Sequence, residues 1–125
     1  SKMKLGPLWL KIQIACGDAL AMGPGKADLL EAIIEHGSIS AAGRALGMSY
    51  RRAWLLVDEM NRCFDPVVVE TIKGGGRERG ARVSPTGIAV LEAYRDMERE
   101  ASAIADRPAY AQLRQYLRQE PVASD

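Results

Sequence analysis

The stretch from Gly37 to Asn61, GSISAAGRALGMSYRRAWLLVDEMN, constrains the fold more than any other part of the chain. Two short segments with helical apolar spacing lie on either side of Gly47-Met48-Ser49. Ser49 is the residue type that caps a helix N-terminus. Ala53, Trp54, Val57, Met60 and Phe64 then recur at helical spacing as a buried face. The same helix opens on Tyr50, Arg51 and Arg52. In a first helical turn the N–H groups lack intrahelical partners and the helix dipole favours anions. An aromatic ring and two guanidinium groups placed there reach outward, toward something negatively charged.

The flanking segments supply the rest of an order of elements. LWLKIQIAC at 8–16 alternates Leu8, Leu10, Ile12 and Ile14 against Trp9, Lys11 and Gln13, which predicts a half-buried strand. Gly17-Asp18 is turn chemistry, and ALAM returns as a short second strand. Gly23-Pro24-Gly25 stops the sheet, with Pro24 suited to the first turn of a helix. Leu29, Leu30, Ile33 and Ile34 stripe that helix, and Gly37 closes it. Ser38 or Ser40 caps a short Ala-rich helix running to Leu46. After the helix that starts at Ser49, Asp65-Pro66 marks a stop. VVVETI at 67–72 and Ala81–Ser84 read as two strands joined by the glycine-rich KGGGRERG. Thr86 opens a last long helix ended by Pro108, and a further short helix carries Tyr110, Leu113 and Leu117. These elements divide a single domain of 1–125 into 8–23, 24–66, 67–85 and 86–118.

Formal net charge is only +1 across 125 residues, but it is unevenly distributed. Residues 37–85 sum to +3 and residues 86–125 to −2, a basic middle followed by an acidic tail. Cys16 and Cys63 are too few for a disulfide framework and read as small core residues in a reducing compartment. His36 stands alone at a helix end. No nucleophile–base pair and no metal-ligand set can be assembled, so an enzyme is not expected. No apolar run is long enough to span a bilayer, and no signal peptide is present, so a cytoplasmic protein is expected. Three consecutive glycines do not make a P-loop, because they join two strands and lack the terminal Lys-Ser/Thr. GPGKAD at 23–28 lacks the first glycine of that motif and carries Ala27 in place of the hydroxyl.

Helix, short helix, glycine-bearing turn, helix and a two-stranded hairpin is the order of a winged helix-turn-helix. The expected fold is therefore mainly α with small β. It has an N-terminal strand or hairpin and a long C-terminal dimerisation helix. Tyr50, Arg51 and Arg52 then occupy the start of a recognition helix, where arginine can take guanine O6 and N7 together. Leu55 lies either against a thymine methyl or against the second helix. The glycine-rich hairpin reads as a wing. Gly75 and its neighbours allow close backbone approach, and Lys73, Arg77, Arg79 and Arg82 face phosphates or a minor groove. Val90, Tyr94, Met97, Ala101 and Ile104 are spaced four, three, four and three, a narrow seam that either joins two copies or covers the chain's own core.

The segments GPGKADLLEAI, GSISAAGRALGMSYRRAWLLVDEMN and GGG…GARVSPTG resemble the N-terminal DNA-binding domain of molybdate-responsive ModE-type regulators, which is related to LysR-type domains. The resemblance covers roughly residues 8–105. It implies a bacterial, cytoplasmic homodimeric regulator, usually a repressor of molybdate uptake genes. It also implies that Ser49 joins Tyr50, Arg51 and Arg52 in contacting double-stranded DNA, and that the helix containing Leu91, Tyr94 and Met97 dimerises. Residues 109–125 do not resemble the family's oxyanion-binding motif. The expectation is thus a chain with no cofactor of its own, whose molybdate sensing is lost or supplied by a separate effector-sensing protein. A molybdate ion acting here directly would need a helix N-terminus or the hairpin arginines. The competing expectation is a protein-interaction module that does not read DNA, motivated by the low net charge and by Glu59 and Glu78 within the presumed DNA surface.

Overall fold

The computed structural model describes residues 3–73 and 80–124. Gly75, Arg77 and Arg79, assigned above to DNA contact, lie outside the described residues. The chain opens with two antiparallel hairpins. β1 (Met3–Leu5) pairs with β2 (Leu8–Leu10), and β3 (Ile14–Cys16) pairs with β4 (Ala19–Met22). Three helices follow: α1 (Pro24–His36), α2 (Ile39–Ala45) and α3 (Tyr50–Cys63). β5 (Val69–Ile72) and β6 (Gly80–Val83) form a third antiparallel pair. α4 (Pro85–Ala101), a 3₁₀ turn at Ser102–Asp106 and α5 (Pro108–Arg114) complete the described chain.

Local chemistry sets the helix ends. Pro24 sits in the first turn of α1, where its missing N–H costs nothing. Gly37 ends α1 at φ 76°, a left-handed conformation that a side chain would strain. Ser38, Ser49 and Ser84 cap α2, α3 and α4, each hydroxyl accepting a backbone N–H three residues on. The core they enclose has Met22, Leu29, Leu30, Ile33, Met60 and Val68 at its centre. α2 crosses α3 closely because Gly43 faces Ala53, and a Cβ at position 43 would lie 3.0 Å from the Ala53 methyl. Asn61 ties α3 to β5. Its Oδ1 accepts from the Val68 and Val69 amides at 2.9 and 3.1 Å, and its Nδ2 donates to the Val69 carbonyl at 3.0 Å.

The structure overturns the expected winged helix-turn-helix. Among the described residues, six short strands form three separate two-stranded sheets, and five helices with a 3₁₀ turn make up just over half, an architecture other than the expected one. The single strand expected over 8–16 is two strands in different hairpins, and β1 was not expected at all. The alternation that suggested one strand reports burial, not pairing: Ile12 packs on the core without a partner strand. The long last helix stops being α-helical at Ala101, where the chain tightens into the 3₁₀ turn.

Further readings change with burial. Trp54 is 36% exposed, because 100° per residue puts it at the rim of the face set by Ala53, Val57 and Met60. Cys16 is exposed and Cys63 half-buried, so neither is a core residue. Burial, followed by a hydrogen bond with the neighbouring Cys16 thiol, pushes the Cys63 thiol up from its ordinary range. Leu91 and Tyr94, on the expected dimer seam, are buried in the chain's own core.

Candidate nucleic-acid interface

α3 is presented from its N-terminal end. The Ser49 hydroxyl accepts the Arg52 amide at 3.1 Å, and the backbone before it turns through Gly47, with the Met48 amide donating to the Gly43 carbonyl at 2.8 Å. Ala53, Val57 and Met60 are buried. With their side fixed, helical geometry puts Arg51, Leu55, Asp58 and Arg62 on the outward stripe. Tyr50 and Trp54 flank one side of that stripe, Arg52 and Glu59 the other. All the first-turn residues from Ser49 to Arg52 are exposed.

Tyr50 is 61% exposed and its ring meets Trp54 edge-on, centroids 6.1 Å apart and planes at 66°. This geometry favours the aromatic quadrupoles and holds both rings at the helix start. Among the described residues neither Arg51 nor Arg52 forms an ion pair. Arg62, about three turns further on, is balanced by Asp58 at 3.1 Å. Leu55 is 55% exposed. Glu59 is not a loose negative charge within this surface. It pairs with Lys26 of α1, whose Nζ also donates to the Leu20 carbonyl of β4.

The other expected contact residues are less uniform. Lys73 follows β5 and is exposed. Arg82 lies directly across from Glu70 in the β5–β6 register and pairs with its carboxylate at 2.9 Å, so its charge is largely balanced. On the expected dimer seam, Val90 and Ala101 are half-buried while Met97 and Ile104 are exposed, the last within the 3₁₀ turn. These four flank the buried Leu91 and Tyr94 instead of continuing them. Leu113, Tyr116 and Leu117, near the chain's end, add further exposed apolar surface.

Two clefts among the described residues bear on this surface. One of about 320 Å³ lies where α1 begins beside β4 and α3, lined by Lys11, Gln13, Met22, Lys26, Arg52 and Glu59. Its helix N-terminus has no side-chain cap, yet Lys26, the cation best placed for an oxyanion, is already committed to Leu20 and Glu59. The second, about 570 Å³, lies between α1 and α2 and carries Asp28, Glu31 and Glu35, a sign unsuited to nucleic acid. Asp28, Glu31 and Glu98 all converge on Arg95 of α4, which joins α1 to α4. Among the described residues no group of His, Cys, Asp and Glu is placed to hold a metal, and no helix is long and apolar enough to cross a membrane.

No family model matches the sequence. The chain is 35% identical to the molybdenum-pterin-binding protein MopA of Rhodobacter capsulatus over 88 residues, 70% of this chain and 33% of that protein. It is 42% identical to MopB of the same organism over 77 residues, 62% of this chain and 28% of that protein. It is also 33% identical to the DNA-binding transcriptional dual regulator ModE of Escherichia coli (strain K12) over 87 residues, 70% of this chain and 32% of that protein. The chain spans about a third of the length of the curated relatives it matches. Its similarity is to molybdenum-related proteins, both binding proteins and regulators.

Proposed function

We propose that the chain is the DNA-contacting part of a homodimeric transcriptional regulator concerned with molybdenum. The observation that carries this reading is the first turn of α3. A serine cap orders it, a buried face orients it, and Arg51 and Arg52 leave it with no carboxylate partner among the described residues. Arginine in that setting can meet phosphate through its charge and the helix dipole, or guanine through paired hydrogen bonds. The molybdenum connection rests on the names of the relatives, one of which is itself a DNA-binding regulator.

One helix start reads too few base pairs for a unique site, so two copies related by a twofold axis are required, their half-sites about 34 Å apart on one face of the duplex. The surface favoured for that contact is the flank of Val90, Met97, Ala101 and Ile104 beside the core face of α4. Leu91 and Tyr94 support that flank from beneath.

A second reading is favoured by the exposed apolar residues Leu113, Tyr116 and Leu117. It makes the chain an interaction module that docks on a separate sensing protein. Selection of bound duplexes from a random pool separates the two. A palindromic site is the expected product. A pool that stays random after repeated rounds, with a protein partner captured instead, overturns the DNA-reading proposal.

A further inference from the structure

Leu55 stands one helical turn beyond Arg51 on the outward stripe of α3, more than half exposed and next in sequence to Trp54, whose ring meets Tyr50. A single exposed leucine on a helix needs no explanation. Three exposed apolar side chains within a turn and a half, near two guanidinium groups that form no ion pair among the described residues, are a different arrangement. The charge commits this patch to a polyanion, and the apolar tips must then meet an apolar group inside that polyanion. In the major groove the four base pairs offer only one, the C5-methyl of thymine.

Resting on the DNA-reading proposal above, we infer that Leu55 is a specificity-determining residue that selects thymine by its methyl group, beside a guanine taken by Arg51. The two side chains start about 6 Å apart along the helix axis. That is roughly two base-pair steps at about 3.4 Å each. The half-site therefore contains a thymine within about two positions of the guanine.

The test uses the full chain and the duplex recovered by selection, with each thymine replaced in turn by deoxyuridine, which lacks only the methyl. At one or more thymines in each half-site the replacement weakens wild-type binding roughly three- to fivefold, the effect of withdrawing one methyl from an apolar contact. Leu55→Ala binds the thymine and uracil duplexes equally. Leu55→Met, which keeps an apolar tip, retains most of the wild-type ratio, and circular dichroism checks that both variants are folded. Two results overturn the inference while leaving DNA reading intact. One is wild-type indifference to uracil at every position with the selected site still preferred over a scrambled one. The other is a thymine-to-uracil ratio that Leu55→Ala leaves unchanged. If the selected duplex is not preferred over a scrambled one, DNA reading fails and this inference with it.

Discussion

Lys26 on α1 and Glu59 on α3 form an ion pair whose two halves are unequally buried: 7% of the lysine side chain reaches solvent, against 33% of the glutamate. The lysine also holds the Leu20 carbonyl, so one ammonium joins α1, β4 and α3 beside the arginine-bearing turn. The inequality predicts an asymmetric response. Glu59→Ala leaves a buried cation without its carboxylate and costs about 3 kcal/mol. Lys26→Met leaves a glutamate that can turn to water and fills the space with an apolar chain, costing about 1 kcal/mol. Urea denaturation of the two variants measures the difference, and equal losses contradict the burial argument.

Tyr94 connects the two ends of the chain. Its hydroxyl donates to the Ile12 carbonyl at 2.7 Å, a residue with no strand partner of its own. Tyr94→Phe removes that donor and lowers stability by about 1 kcal/mol. Burial, aided by the nearby Glu98 carboxylate, pushes the phenol from 10 up to about 12. A raised value in the folded state means that the neutral form is the one the fold favours. Its contribution is full below pH 10 and is lost as pH climbs from 10 toward about 12. A phenolate absorbance titration should show one tyrosine ionising last, and Tyr94→Phe should remove that final step.

Gly43 governs how closely α2 meets α3. Alanine is the better helix former there, worth about 1 kcal/mol in an open helix. The new methyl, however, would sit 3.0 Å from the methyl of Ala53, tighter than ordinary contact. Both α2 and α3 are held by serine caps and buried faces, so the crossing cannot widen freely. Gly43→Ala is expected to destabilise by about 1–2 kcal/mol in spite of its helix propensity. Thermal melts decide the sign, and a stabilised variant contradicts the close crossing.

What the sequence revealed and concealed follows from the range of each interaction. The caps at Ser38 and Ser49, Gly37 and Pro24 act within four residues, so their chemistry was legible directly, whereas Ser84, read as the end of a strand, caps α4. The start of α3 and its outward arginines came with them. Longer-range features were not. The pairing of Lys26 with Glu59 and the clamp of Asn61 on β5 join distant segments and leave no periodic trace. Nor does alternation distinguish a residue that pairs in a sheet from one that is merely extended over a core, which is why 8–16 looked like one strand. The four-three spacing from Val90 to Ile104 recorded an apolar flank but could not show that Tyr94 was already engaged inside the chain. Nor could it show the change to a 3₁₀ turn at Ser102.

In the proposed function the first turn of α3 reads base pairs through Arg51 and Arg52. Fluorescence anisotropy with Arg51→Ala and Arg52→Ala, each on the selected duplex and on a scrambled one, tests it most directly. The account predicts that at least one variant loses about 1–3 kcal/mol on the selected site and much less on the scrambled one. Wild-type affinity for both duplexes in both variants, or an equal loss on each, would contradict it.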